Sequence, residues 1–305
     1  MNGNDRNLVK MIKQIAIEDD IKIVGSRDGW IFRLTKNNMN KHIIGHRFEL
    51  NSKGVNALCD HKSSASEILQ KNNVEVVEHI SFPSPVNNED LSQYEYLDKM
   101  KQYLSLHKKI VIKPNDGSMG YNVERVNTEK ELEEAIIKIS KMTKEIALSP
   151  YYEIKNEYRV IILDDEIKLV YLKEVPSIIG NGKDSIRKLI DDNIQVDDNL
   201  DIDYVPKNNE LVILNWKHNS TYGSSGKIID DPKIINKLTK LSIKTSEALD
   251  LVFASIDIVE VDNKYMVLEI NAGVMMEHFS SLSEENYKKA KEIYNDAIDL
   301  MFGEY

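Results

Sequence analysis

One cysteine, Cys59, stands in 305 residues, so neither an internal disulfide nor a Cys-rich zinc site is available, and a reducing, cytoplasmic setting is expected. With 13 Gly and 7 Pro the chain is too poor in both for a low-complexity or collagen-like build, and aromatics are only 7%. No apolar run approaches the about 18 residues that a membrane-spanning helix needs, and residues 1–20 lack the basic start, apolar middle and small-residue end of a signal peptide. No membrane partner is expected. Positive charge is also scarce: Lys and Arg number 40 against 50 Asp and Glu, a formal net charge of -10. A general polyanion binder needs many cations to neutralise phosphates, so a nucleic acid partner is not expected either. A single phosphorylated ligand held by a few local cations remains compatible with that balance. Hydrophobic residues make up 41% and charged residues 30%, a globular composition, and the length gives one large or two ordinary domains.

Periodicity and breakers give the element order. Apolar residues at helical spacing predict a helix over 8–17, short strands at 21–24 and 30–34 flank Asp28-Gly29, and 43–50 reads as extended. A helix over 62–72, a strand at 74–77 and a Pro-containing loop over 82–89 follow. Thr128 and Glu131 have the spacing of a capping box opening a helix to residue 142. Residues 160–163 and 167–172 flank the turn Asp164-Asp165 and predict a hairpin. Asp184 or Ser185 caps a short helix to residue 190. Asp231 with Pro232 at the first helical position opens a long helix to residue 249. A second hairpin, 253–261 with 265–270, and a closing helix over 284–302 complete an α+β class with helix-covered sheets.

Three groups of residues carry chemistry. Lys113 ends an apolar strand directly before Gly117, Ser118, Met119 and Gly120, where glycine lets backbone N–H groups approach a phosphate that the lysine also meets. Glu269 and Asn271 lie two residues apart on a strand and therefore share a face, and oxygen ligands on one face suit Mg²⁺. Asp257 joins them only in one register: a two-residue Asp262-Asn263 loop pairs it with Leu268 and turns it away, whereas a three-residue loop sets it opposite Glu269. Glu157, Arg159 and Lys173 open and close the first hairpin; singly they read as solvent-facing charges, but with Lys62 and Lys113 they supply cations for a triphosphate. Residues 215–226 are polar and Gly-rich, a candidate substrate loop. The seven histidines show no metal spacing, and Cys59 has no case as a nucleophile.

A helix-opening lysine, a strand-end lysine with a glycine loop, Glu157-Tyr158-Arg159, then Asp257 and Glu269-x-Asn271 occur in an order that resembles the ATP-grasp superfamily of carboxylate–amine ligases, from about Leu50 onward. Residues 157–190 are most similar to the ligase modules of cyanophycin synthetase and of bifunctional glutathione synthetase. The resemblance implies two α+β subdomains clamping ATP. The expected layout is a short αβ segment over 1–60, a small lobe over 61–150 and a large lobe over 151–305. It implies Lys62 and Lys113 on the phosphates, Gly117 to Gly120 as the covering loop, Tyr151 and Glu153 at adenine, Glu157 at the ribose, and Asp257, Glu269 and Asn271 on magnesium, two ions being expected. Arg159, Lys173 and Lys217 are the implied catalytic cations. The implied reaction forms an acyl phosphate and then an amide between amino acids or small peptides, with ADP and phosphate released. A phosphotransferase or a non-catalytic nucleotide-binding module on the same fold is the alternative, and a homodimer is one way to supplement the short first segment. Departures are Pro150, His61 and Asn215, where the resemblance leads one to expect an acidic residue, an aspartate and an arginine; the first two are expected to touch little chemistry. Ser255 stands where D-alanine–D-alanine ligases carry an arginine.

Overall fold

The computed structural model describes residues 6–86, 91–116, 122–190, 194, 196–197, 199–217 and 226–305. The chain opens with α1 (Asn7–Glu18), whose buried stripe Leu8, Met11, Ile12 and Ile15 follows helical spacing. An antiparallel meander follows, β1 (Lys22–Gly25), β2 (Ile31–Lys36), β3 (Met39–Ile44) and β4 (Arg47–Phe48). Two short helices come next, α2 (Lys53–Asp60), capped by the Ser52 hydroxyl, and α3 (Lys62–Lys71).

A second antiparallel sheet has the order β5-β8-β6-β7, built from β5 (Ile80–Pro83), β6 (Ile110–Pro114), β7 (Glu124–Val126) and β8 (Glu145–Pro150), with α4 (Leu97–His107) and α5 (Glu129–Ser140) between them in sequence. The capping box of α5 forms as expected, Thr128 accepting from Glu131 N and Glu131 reaching back to the Thr128 N–H. Ile110 and Ile112 join Met100, Leu104, Leu132 and Ile136 in one core. The intervening pleat therefore sends Lys113, opposite Ala147, to the other face.

The largest sheet has the order β13-β10-β9-β14-β15 and is antiparallel throughout. Its strands are β9 (Asn156–Leu163), β10 (Glu166–Lys173), β13 (Gly226–Ile228), β14 (Phe253–Val261) and β15 (Lys264–Asn271). The strands β11 (Ser177–Ile179) and β12 (Leu211–Ile213) pair apart, with α6 (Ile186–Leu189) between them in sequence. The helices α7 (Pro232–Leu249), α8 (Glu277–Ser281) and α9 (Glu284–Phe302) follow. Alternation on β9 divides the core: Val160 and Ile162 face Ala65, Leu69, Leu238 and Leu241 of α3 and α7, whereas Ile161 and Leu163 face α1, the first meander and α9.

The expected strand at 74–77 is only a one-residue parallel bridge, Val76 to Val267, with Val77 N to Val267 O at 2.8 Å and Val267 N to Glu75 O at 2.8 Å. The expected loop over 82–89 begins inside β5; Pro83 ends that edge strand, where a missing N–H breaks no ladder. Residues 87–89 of that loop lie outside the described residues. The α4 helix was not anticipated, because its apolar residues Leu97, Met100 and Leu104 are diluted by lysines.

Candidate functional site

Asp257 lies opposite both Glu269 on β15 and Arg159 on β9. The β14–β15 loop is nevertheless the two-residue Asp262-Asn263, with φ of 48° and 63°, the left-handed pair of a type I′ turn. The two expected alternatives are reconciled by a bulge: Ile258 pairs with Val267 and Asp257 with Glu269, so Leu268 is the extra residue. The bulge brings Glu269 and Asn271 to the face that carries Asp257.

On that face a charged half adjoins the apolar half covered by α1 and α9. Arg159 grips Asp257 through two bonds, Nε to Oδ1 and Nη2 to Oδ2, each 2.7 Å, while Lys173 Nζ reaches Oδ2 at 3.1 Å and also Glu157 Oε1. Asp257 and Glu157 are buried. Burial opposes ionisation of Asp257, but Arg159 and then Lys173 outweigh it and hold its carboxyl well below the usual range. Burial likewise works against the Lys173 ammonium, and Asp257 and Glu157 more than offset it. Arg159 spends two of its N–H groups on Asp257, and the rest of the fork remains for an anion.

Lys62, at the first position of α3, meets Glu269 at 3.4 Å. Lys113 is 7% exposed, and among the described residues no hydrogen bond or ion pair partners its ammonium. Burial first, and then the nearby Lys62 charge, push it down to about 8. A buried ammonium with no hydrogen-bond or ion-pair partner among the described residues suits a bound anion. The donor set of Asp257, Glu269 and Asn271, two carboxylates and an amide, fits a Mg²⁺ ion that completes its shell with phosphate oxygens and water. Among the described residues no cluster of three or more His, Cys, Asp or Glu forms an all-protein cage.

The segment joining the two sheets, 151–155, carries Tyr151 and Glu153, whose side chains bond to each other at 3.2 Å. Its far end is fastened by Glu260, which is buried and accepts from Lys155 Nζ at 3.0 Å, Asn156 Nδ2 at 2.7 Å and Tyr158 Oη at 3.2 Å. Sequence reasoning missed Glu260; its only signal is a Glu within the apolar run 253–261. Lys217 sits over the Trp216 ring, 5.6 Å from its centroid, and Trp216 packs edge-on against Tyr151 of the connecting segment. Gly117, Ser118, Met119 and Gly120 lie outside the described residues, as do residues 218–225 of the candidate substrate loop. His79 was also missed: it is buried, with its Nδ1 2.9 Å from Val77 O and its Nε2 without a partner among the described residues. Burial first, and Lys113 next, keep it neutral. A cavity of about 460 Å³ lies elsewhere, lined by Leu169, Val170, Ile229, Ile235 and Lys289, and none of the site residues reaches it.

Residues 171–294 match the RimK-like ATP-grasp domain, a span that includes Lys173, Lys217, Asp257, Glu269 and Asn271. This chain has an ATP-grasp fold. It superposes over 99% of its length on 44% of a bifunctional glutathione synthetase from Pasteurella multocida, with a TM-score of 0.61 at 18% identity. In sequence it is 22% identical over 284 residues to the glutathione biosynthesis bifunctional protein GshAB of Clostridium perfringens, covering 80% of this chain and 34% of that protein. It is 26% identical over 163 residues to the tetrahydromethanopterin:alpha-L-glutamate ligase of Methanocaldococcus jannaschii, covering 50% of each chain. The chain thus spans between a third and a half of the length of these curated relatives. Among the described residues no helix is long and apolar enough to cross a membrane.

Proposed function

We propose that this chain is an ATP-dependent ligase that activates a carboxylate as an acyl phosphate and joins it to an amine, the substrates being amino acids or small peptides. The observation that carries the reading is the buried Lys113 ammonium, which has no hydrogen-bond or ion-pair partner among the described residues and lies near the charges of Lys62, Glu269 and Glu157. Cations on one wall and hard oxygen donors on the other suit a metal-bound triphosphate between them. The names of the relatives, a glutathione-forming protein and a glutamate ligase, agree with the reaction class.

Residues 61–150 and 151–305 act as the two lobes, and 1–60 as the added segment. Lys62 and Lys113 hold the β- and γ-phosphates, with Gly117 to Gly120 covering them. Backbone groups at Tyr151 and Glu153 meet adenine, and Glu157 meets the ribose. Asp257, Glu269 and Asn271 hold Mg²⁺, which when bound offsets the repulsion between the carboxylate and the γ-phosphoryl group. A carboxylate oxygen of the substrate attacks the γ-phosphorus, and the bond to the β-phosphate oxygen breaks to release ADP. The amine nitrogen then attacks the acyl carbonyl, Arg159 and Lys173 stabilise the oxyanion, and phosphate leaves as the amine loses a proton. Lys217 takes part in holding the acceptor.

The test is incubation with ATP, Mg²⁺ and pairs from an amino-acid panel, followed by mass spectrometry. ADP and phosphate released in step with a product weighing the two substrates less water is the expected result. A stable phosphorylated product, or no ATP consumption with any pair, overturns the ligase reading.

A further inference from the structure

We propose that His61, Asn115 and Glu145 form a polar clamp that fixes Lys62 relative to Lys113 across the junction between the two sheets, and so act as positioning residues for the triphosphate. The inference rests on the nucleotide-binding reading above. The two lysines belong to different packing units. Lys62 opens α3, whose Ala65 and Leu69 are buried in the core of the large sheet, whereas Lys113 is the last residue but one of β6 in the smaller sheet, whose core is separate. Packing alone therefore does not set their separation, and their mutual repulsion favours spreading.

The clamp spans that gap. Asn115, fully buried two residues after Lys113, accepts from Ser63 N through Oδ1 at 3.0 Å, while its backbone carbonyl accepts from Lys62 N at 3.3 Å. Its Nδ2 donates to Glu145 Oε2 at 3.0 Å and to Ser63 Oγ at 3.1 Å, and its backbone N–H donates to Glu145 O at 3.0 Å. His61 Nε2 lies 2.6 Å from the same Glu145 oxygen, and Ser64 Oγ 2.8 Å from His61 Nδ1. With Nε2–H donating to Glu145, Nδ1 is left to accept from Ser64, and Asn115 Nδ2, 2.9 Å from Nε2, directs its hydrogens to Glu145 and Ser63. Ser81 Oγ donates to Glu145 Oε1 at 2.6 Å and also lies 2.9 Å from Ser63 Oγ. Directional bonds of this kind specify one geometry, which an apolar contact between α3 and β6 would not do. His61 replaces the aspartate that the resemblance leads one to expect, and an aspartate here would set a second carboxylate against Glu145.

The test is a pair of variants read by binding of a non-hydrolysable ATP analogue. His61→Asp is expected to weaken binding about tenfold, the scale of loss that misplaced ligand-holding groups produce. His61→Asp with Glu145→Gln, which restores a donor opposite the new carboxylate, is expected to recover most of it. Ile136→Val in the α5 core serves as the stability control: at a matched fall in melting temperature it leaves nucleotide affinity unchanged. Affinity within twofold of wild type in His61→Asp, or an equal loss in the control, overturns the proposal. An NMR titration of the Lys113 Cε signal in the nucleotide-free protein separates this inference from the ligase reading. If the clamp holds the two cations together, the uncharged His61→Leu, which removes the bond to Glu145 without adding a charge, moves the Lys113 midpoint up toward the ordinary lysine value. If the wild type binds no nucleotide, the function falls, and an unmoved midpoint rejects the clamp as well.

Discussion

Lys113, at 7% exposure and with no ion-pair partner among the described residues, burdens the folded state, because burial and the Lys62 charge outweigh the help of Glu269 and Glu157 while the unfolded chain solvates the same ammonium freely. Lys113 titrates at about 8 in the folded protein against an ordinary 10.5. The folded state thus binds fewer protons than the unfolded one between those values, so stability rises with pH across that window, and the full penalty is felt below about 8. Lys113→Met should therefore stabilise the protein at neutral pH, by roughly 3 kcal/mol at most on the scale of 1.4 kcal/mol per pK unit, while removing ATP binding. Thermal melts with and without ATP check both halves; a Met variant that is less stable, or still binds ATP, contradicts the reading of Lys113. Asp257 and Glu269 should separate in the opposite sense. Asp257 is the shared partner of Arg159 and Lys173, so Asp257→Asn leaves two buried cations undercompensated and should cost about 3 kcal/mol as well as turnover. Glu269, with its side chain 26% exposed and paired to Lys62, should destabilise less as Glu269→Ala than Asp257→Asn does and still abolish turnover. Urea denaturation of the two variants, beside their phosphate-release rates, distinguishes a ligand carboxylate that also holds the fold together from one that does not.

At the scale of elements, the β14–β15 hairpin shows where sequence reasoning stopped. Alternation and the Asp262-Asn263 signal located both strands, and the shared face of Glu269 and Asn271 followed from a two-residue spacing. The bulge at Leu268 was not legible, because a leucine there reads equally well as a regular strand residue; the register is chosen by packing Val267 and Ile270 into one core. Deleting Leu268 keeps Glu269 opposite Asp257 and should preserve Mg²⁺-dependent nucleotide binding. Inserting one alanine after Leu268 turns Glu269 and Asn271 to the other face and should abolish it. Calorimetry with Mg²⁺ and an ATP analogue reads both, and equal behaviour of the two variants would contradict the bulge's role. The capped α5 and the Pro-started α7 were legible because caps and breakers are local. The clamp residue Glu145 and the anchor Glu260 were not, since each has meaning only through partners far away in sequence.

For the molecule as a whole, the opening segment is not a detachable appendage. Leu34, Ile43 and Phe48 of the first meander share one core with Ile161, Leu163, Leu169, Tyr171 and Phe253 of the large sheet and with Tyr294 and Met301 of α9. Phe48 stacks on Tyr294 at 5.5 Å and meets Phe253 edge-on at 5.2 Å. Asn51, just beyond the meander, bonds to the backbone of Val252 at 2.8 Å and of Phe253 at 2.6 Å. That surface lies on the same sheet face as Arg159, Asp257 and Lys173, so the segment seals the apolar half of a face whose charged half forms the site. Exposing five large apolar side chains of the sheet costs about 1.5–3 kcal/mol each, together comparable to the whole stability of a typical domain, about 5–15 kcal/mol. A chain starting at Ser52 should therefore fail to fold: it should bind a hydrophobic dye, lose its cooperative thermal transition and retain no nucleotide affinity. Adding residues 1–51 back as a separate peptide should restore the transition only if the two pieces assemble on this shared core. A truncated chain that melts cooperatively and binds ATP would show instead that the sheet face is closed without the meander.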